Sequence, residues 1–148
     1  MDEQDPLVYV VHGDSDVLLA LYDVLSAAGF RVAASSNARD ALAYVARSRP
    51  RAVLCHWEMP EMEGGELLAR LRNGSPESRI IMSSRKADSA LYDDVLAKGG
   101  DDLLREPLSE IAVVHAVSRM LGFSIPYPHL DSPTFRRQHS GLRSTGTR

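Results

Sequence analysis

Three side chains that can carry proton or metal chemistry follow short apolar runs of the sequence. His12 follows the run 7–11, His56 follows the run 52–55, and Glu106 comes shortly after the Leu103-Leu104 pair. Short apolar runs are typical of buried strands, and in open α/β sheets the chemistry lies at the carboxyl ends of the strands. We therefore expect these strand ends to converge and to bring His56 close to Glu106.

Such a pair of groups supports several interpretations. A carboxylate favours the protonated form of a neighbouring histidine, whereas burial opposes it, so a His56–Glu106 contact would strengthen as the pH falls. The alternative is that His56 bonds to local backbone groups while Glu106 is solvated. A metal site built from His12, His56 and either Asp14 or Glu58 is a further possibility. No His-x-His or cysteine pair reinforces that site, and the prediction is that no metal is bound.

The rest of the chain alternates between apolar runs and helix-like periodicity. The spacing of apolar residues predicts five helices, the first with Asp14 or Ser15 as its N-cap, the second with Asn37, the fourth beginning at Asp88 or Ser89, and the last at Ser109-Glu110. The segment 73–76 is predicted as a loop. This alternation predicts an α/β fold with a five-stranded parallel sheet and helices on both faces. The predicted strands are 7–11, 30–34, 52–55, 80–82 and 103–104.

Composition sets the broad class of protein. The 148 residues are 44% hydrophobic and 25% charged, which is ordinary for one globular domain. The sequence has no apolar run of the roughly 20 residues that a membrane span needs. With a single cysteine, Cys55, no internal disulfide is possible, and a cytoplasmic location is expected.

Charge is distributed unevenly along the chain. Residues 123–148 hold four arginines against one acid, a balance of +3, so the net charge of −3 leaves −6 for residues 1–122. The acidic body gives no support to nucleic-acid binding. The domain is predicted to span 6–122, and the basic, proline-containing segment 123–148 is predicted to be a largely flexible tail.

Several motifs together resemble a response-regulator receiver domain, the chemotaxis-type module of two-component signalling, over residues 6–122. The resemblance implies a flavodoxin-like sheet with strand order 2-1-3-4-5. It also implies a phosphoryl-accepting aspartate after the third strand, Mg²⁺ held with the help of an acidic pair, a lysine after the fifth strand and a hydroxyl after the fourth. The motifs are Met59-Pro60-Glu61-Met62-Glu63-Gly64, Lys98-Gly99-Gly100-Asp101-Asp102 and Glu106-Pro107-Leu108.

Most of the implied site residues are replaced in this chain. His56 stands at the phosphoacceptor position, His12 and Gly13 at the acidic pair, and Glu106 at the lysine. The hydroxyl remains as Ser84. The other pocket positions are Asp14, which a shifted first loop would aim into the pocket, Glu58, the bulky Arg85 beside Ser84, and Leu103 at an aromatic switch position.

These departures predict a degenerate receiver that has lost Mg²⁺ binding, is not an enzyme and acts by phosphorylation-independent protein–protein interaction. The resemblance places a partner or homodimer surface on the fourth helix, fifth strand and fifth helix. Two alternatives remain: a true phosphorelay regulator with a non-standard acceptor, and a metal-binding protein or enzyme centred on His12 and His56. The charged residues of the expected surface are Asp93, Asp94, Asp101, Arg105 and Arg119.

Overall fold

The computed structural model describes residues 7–123, which form five strands and five helices in strict alternation. In chain order the elements are β1 (Leu7–Val11), α1 (Ser15–Ala27), β2 (Arg31–Ser35), α2 (Ala38–Ser48), β3 (Ala52–His56), α3 (Gly64–Gly74), β4 (Arg79–Ser84), α4 (Ser89–Ala97), β5 (Asp102–Arg105) and α5 (Glu110–Leu121).

The strands form one parallel sheet in the order β2-β1-β3-β4-β5. The predicted fold class and strand order are therefore confirmed. Because every strand runs in the same direction, all five carboxyl ends lie at one edge of the sheet. Along that edge the last residue of β3, His56, is paired with Ser83 of β4, and Ser84 is paired with Arg105 of β5.

The core lies on both faces of the sheet, since side chains alternate along each strand. Val8 and Val10 pack in a cluster with residues of α1 and α5, whereas Tyr9 and Val11 pack in a cluster with residues of α2, α3 and α4. Burial on both faces explains why the strands read as continuous apolar runs. The two clusters hold the sheet, and with it the polar carboxyl edge, in one geometry.

The helix starts confirm the predicted caps. Asp14, Asn37, Asp88 and Ser109 each accept hydrogen bonds from backbone N–H groups of the first turn that follows. Gly29, with φ of 101°, makes the turn between α1 and β2 in a conformation that favours glycine.

Several predicted boundaries were wrong. Strand β2 runs from Arg31 to Ser35 where 30–34 was predicted, and β3 includes His56 beyond the predicted 52–55. Strand β4 extends to Ser84 and β5 from Asp102 to Arg105, because ladder pairing continues through polar residues beyond the apolar ones. Helix α3 includes Asn73 and Gly74, which were predicted to lie in a loop, and the backbone N–H of Ser75 donates to the carbonyl of Leu71 to close the last turn.

The predicted tail, 123–148, lies outside the described residues except for Phe123, whose ring packs edge-on against Phe30. Within residues 7–123, no helix has the length and apolar character needed to cross a membrane.

Candidate functional site

At the carboxyl edge of the sheet, the carboxylate of Glu106 is in contact with hydrogen-bond donors from three side chains. Oε2 of Glu106 lies 2.7 Å from Nδ1 of His56, 2.6 Å from Oγ of Ser83 and 3.2 Å from Nε2 of His12. The side chain of Glu106 is 7% exposed, so these contacts replace water almost completely. We call these four residues the histidine–glutamate cluster. It joins the ends of β1, β3, β4 and the segment after β5.

The fold selects the tautomer of His12. Its Nδ1 accepts a hydrogen bond of 3.1 Å from the backbone N–H of Asp14, so the ring proton must lie on Nε2, the atom that faces Glu106. His12 is buried, and its ring stacks on that of His56 with centroids 4.1 Å apart. His12 is therefore held as a hydrogen-bond donor to the carboxylate.

His56 lies between two carboxylates. Its Nδ1 donates to Glu106, and its Nε2 lies 3.5 Å from Oε1 of Glu58. Burial lowers the pKa of His56, and so does the charge of Arg85. The hydrogen bond to Glu106 and the charges of Glu106 and Glu58 raise it by more than this, so the pKa lies above its ordinary value. The contact between His56 and Glu106 expected from the sequence is present.

The pKa of Glu106 is shifted in the opposite direction. Burial alone would raise its pKa, but hydrogen bonds from His12, His56 and Ser83 favour the ionised form more strongly. The pKa of this carboxyl therefore lies well below its usual range, and the group is a carboxylate at neutral pH.

The hydroxyl of Ser84 already has its partners. It donates to Oε2 of Glu58 at 2.6 Å and accepts the backbone N–H of Lys86 at 2.9 Å. Glu58 thus links the end of β3 to the loop after β4, with one oxygen near His56 and the other bonded to Ser84.

Other expected pocket residues lie elsewhere. Asp14 is exposed and its carboxylate caps α1, one of the two predicted N-caps, so it does not turn into the pocket as a shifted first loop would require. Gly13 and Arg85 are exposed beside the cluster. Leu103 is fully buried in the apolar cluster beneath α2, α3 and α4, because alternation along β5 directs it to that face.

Sequence reasoning missed Ser83. The signal was available, since two consecutive serines end β4 and alternate residues of a strand face opposite sides of the sheet. Ser83 contacts Glu106, whereas Ser84 contacts Glu58.

Two residues of the predicted partner surface have contacts within the domain. Asp101 accepts hydrogen bonds from the backbone N–H of Ile80 at 2.8 Å and from Arg72 at 3.0 Å, so it joins strands within the domain. Asp94 pairs with Lys98 one turn away on α4. The exposed charges that remain from the predicted set are Asp93, Arg105 and Arg119.

The donor set does not suit the Mg²⁺ ion that a receiver-type site would hold. Mg²⁺ prefers oxygen ligands in octahedral geometry. Here two of the three converging groups present imidazole nitrogens, and the one buried carboxylate is already bonded to three donors. One nitrogen of His12, one of His56 and one oxygen of Glu106 lie within 4.8 Å of one another. The third member of this group is Glu106, where the sequence suggested Asp14 or Glu58.

A five-stranded parallel sheet in the order 2-1-3-4-5 defines a flavodoxin-like fold, and comparisons with known proteins identify the family. The sequence profile of the response regulator receiver domain matches residues 8–118. The chain belongs to this family of two-component signalling modules.

Individual relatives differ in how much of their length is matched. The chemotaxis protein CheY of Thermotoga maritima is 25% identical over 114 residues, which cover 76% of this chain and 95% of that protein. The transcriptional regulatory protein PrrA of Mycobacterium tuberculosis is 33% identical over 118 residues, 78% of this chain and 50% of PrrA. This chain thus spans about half the length of PrrA.

Solved structures agree on the fold. A CheY-like receiver domain protein from Methanospirillum hungatei has a TM-score of 0.76 and 22% identity, covering 80% of this chain and 95% of that one.

Proposed function

We propose that this chain is a receiver module that acts through protein–protein contact without phosphorylation at the end of β3. The observation that carries this proposal is the bond between His56 and Glu106. The position that the family uses for an acceptor carboxylate holds an imidazole, and the position of the cation holds a carboxylate.

Electrostatics supports the proposal. A phosphoryl group brings negatively charged oxygens, which a receiver site stabilises with Mg²⁺ and a lysine. In this chain the incoming oxygens would meet the ionised, buried Glu106. Like charges in a poorly solvated site repel strongly, so the cluster disfavours an anion at the place where the family binds one.

The hydroxyl that would respond to a phosphoryl group supports the same conclusion. Ser84 is bonded to Glu58 and to the Lys86 backbone, with both contacts at 2.9 Å or less. Movement of Ser84 toward a new anion would require the loss of both bonds. The loss of Mg²⁺ binding follows as part of this proposal, because imidazole nitrogens replace the oxygen ligands.

The test uses Trp57, the only tryptophan of the chain, which follows His56 directly. Fluorescence is recorded while Mg²⁺ and then beryllium fluoride, a phosphoryl mimic, are added. Acetyl phosphate treatment followed by intact-mass measurement detects a covalent phosphoryl group. We expect no saturable fluorescence change and no added mass of phosphate.

A matched control restores the family pattern with His12→Asp, Gly13→Asp, His56→Asp and Glu106→Lys in one chain. A Mg²⁺-dependent response in this variant shows that the assay detects a working site. A response in the unaltered chain would overturn the proposal. Loss of that response in Asp14→Ala or Glu58→Ala would identify which acid serves as a non-standard acceptor or ligand.

For the partner surface we propose the exposed face of α4, β5 and α5. Leu96 of α4 is 41% exposed, and the exposed charges Asp93, Arg105 and Arg119 lie on the same three elements. An apolar residue among charges of both signs suits a specific protein contact better than a nucleic-acid surface.

Analytical ultracentrifugation over a range of concentrations tests whether this surface joins two copies of the chain. If it does, Leu96→Glu gives a monomer, and the matched control Leu19→Glu, which alters the exposed leucine of α1, leaves the dimer intact. A wild-type monomer directs the search to a different protein partner, for which the same pair of variants serves in binding assays.

A further inference from the structure

We propose that His12, His56 and Glu106 form a binding site for a zinc-type divalent cation. This site goes beyond the proposed signalling function and does not depend on it. The three residues follow different strands, β1, β3 and β5, and the parallel sheet brings their donor atoms to one point at its carboxyl edge.

The distances suit a small ion with nitrogen and oxygen ligands. Ligand atoms of a tetrahedral zinc site are about 3.3 Å apart, given bonds of roughly 2.0–2.1 Å. Oε2 of Glu106 lies 2.7 Å from Nδ1 of His56 and 3.2 Å from Nε2 of His12. All three donor atoms lie within 4.8 Å of one another. A cation would draw them together and would require one of the two stacked imidazole rings to turn toward it, with a fourth position left for water.

The surroundings of His56 favour this arrangement. When Nδ1 binds a cation, a neutral ring carries its proton on Nε2, which lies 3.5 Å from Oε1 of Glu58. Glu58 would then accept a hydrogen bond from the ligated histidine, the arrangement that orients histidines in many metal sites. His56 changes tautomer in this step, with the proton moving from Nδ1 to Nε2.

The surroundings of His12 oppose the binding of a cation. The N–H of Asp14 points at Nδ1 of His12 and keeps the proton on Nε2, the atom that must bind the cation. Metal binding requires the proton to move to Nδ1 and the Asp14 bond to break. One backbone hydrogen bond of about 1 kcal/mol corresponds to roughly a fivefold loss of affinity. The metal-free cluster is thus a closed form that competes with the cation.

The chemistry of the ligands selects the ion. Two imidazoles and one carboxylate favour Zn²⁺ and neighbouring late transition metals over Mg²⁺ and Ca²⁺. Glu106 supplies a negative charge that is already buried, so a cation enters without the need to bury a new anion.

The test is isothermal titration of the untagged, metal-free full chain with zinc chloride, accompanied by visible spectra with Co²⁺ as a probe. His115, His129 and His139 are present in every variant and provide a common background. We expect one equivalent whose affinity falls by about 100-fold in His56→Ala and Glu106→Gln, and about tenfold in Glu58→Gln, which is exposed and does not threaten folding. Excess Mg²⁺ should not compete.

A matched pair of variants isolates the opposing contact. Asp14→Pro removes both the cap and the backbone N–H, whereas Asp14→Ala removes only the cap. The proposal expects Asp14→Pro to bind zinc about fivefold more tightly than Asp14→Ala. Glu66→Gln, an exposed change on α3, should leave the affinity unaltered. The proposal is overturned if zinc fails to bind, or if Glu58→Gln and both folded ligand variants bind it as well as the unaltered chain.

Discussion

Replacing Glu106 with glutamine tests how much the histidine–glutamate cluster stabilises the domain. Glutamine has nearly the same shape but no charge, and its amide nitrogen cannot accept a hydrogen bond. His12, His56 and Ser83 all donate to the carboxylate of Glu106, whose side chain is 7% exposed, so little solvent screening reduces the effect. Breaking a buried ion pair from one side costs about 3 kcal/mol. In a domain of this size that corresponds to a fall in Tm of roughly 10 °C.

The stability difference depends on pH in a direction set by two groups. The pKa of Glu106 is lowered from its ordinary value of 4.5, so its contribution is present above pH 4.5 and is lost as the pH falls through the folded-state pKa. The pKa of His56 is raised from 6.5, so its contribution is complete below pH 6.5 and is lost as the pH rises through the folded-state value. The wild-type advantage is therefore greatest between pH 4.5 and 6.5.

Urea unfolding followed by Trp57 fluorescence measures the difference, with EDTA present so that the cluster is free of metal. We expect the gap between wild type and Glu106→Gln to be larger near pH 5.5 than near pH 8.5. Glu58 and Arg85 also act on His56 but are the same in both proteins. The control Glu58→Gln, at an exposed residue, should change the stability by no more than about 1 kcal/mol. Equal stability of Glu106→Gln and wild type, or a gap that widens toward alkaline pH, would refute the reasoning.

Three further predictions concern residues around the site. Gly64→Ala places a methyl group against the ring of Trp57, which should destabilise the domain by about 2 kcal/mol and shift the fluorescence emission of Trp57. The control Gly29→Ala adds a methyl group that contacts no other atoms, so it should not shift the emission. Asp101→Ala should cost about 2 kcal/mol because Arg72 and the Ile80 N–H lose their acceptor, yet leave any self-association unchanged, and altered association would contradict its assignment inside the domain. Burial raises the pKa of the Cys55 thiol, so iodoacetamide should modify it only at the rate of unfolding; rapid labelling of folded protein would contradict this.

The sequence predicted the fold well because several local signals agreed. Apolar runs marked the strands, and Asp14, Asn37, Asp88 and Ser109 marked helix starts through the chemistry of their side chains. The errors occurred where backbone hydrogen bonding continued past the residues that composition marks as the end of an element. Gly74 looked like a loop residue but lies in α3, and Asp102 and Arg105 extend β5 beyond its two leucines.

The candidate site was less predictable, because its contacts depend on distances between strands that are far apart in sequence. The ends of β3 and β5 predicted the neighbourhood of His56 and Glu106, but the stacking of His12 on His56 and the role of Ser83 depend on side-chain directions. Asp14 shows the limit most clearly. Its carboxylate has the chemistry of a pocket residue, yet capping α1 binds that carboxylate to the helix, and only its backbone N–H reaches the cluster.

The arrangement of charge is consistent with a stable sheet edge in which His12, His56 and Glu106 stand at the positions of the receiver-site residues. A receiver site that places carboxylates at the ends of β1 and β3 needs a cation after β5 and a bound Mg²⁺ to offset their repulsion. In this chain the charge order is reversed: imidazoles follow β1 and end β3, and a carboxylate follows β5. The attraction between these elements is retained, and the hydroxyl of Ser83 donates a further hydrogen bond to Glu106. The side chains of this edge therefore hold the strand ends together. Under the proposed function, a site that completes its own charge pairs offers no charge deficit for a phosphoryl group to fill, and a signal would enter through the outer faces of the domain or through the proposed cation site.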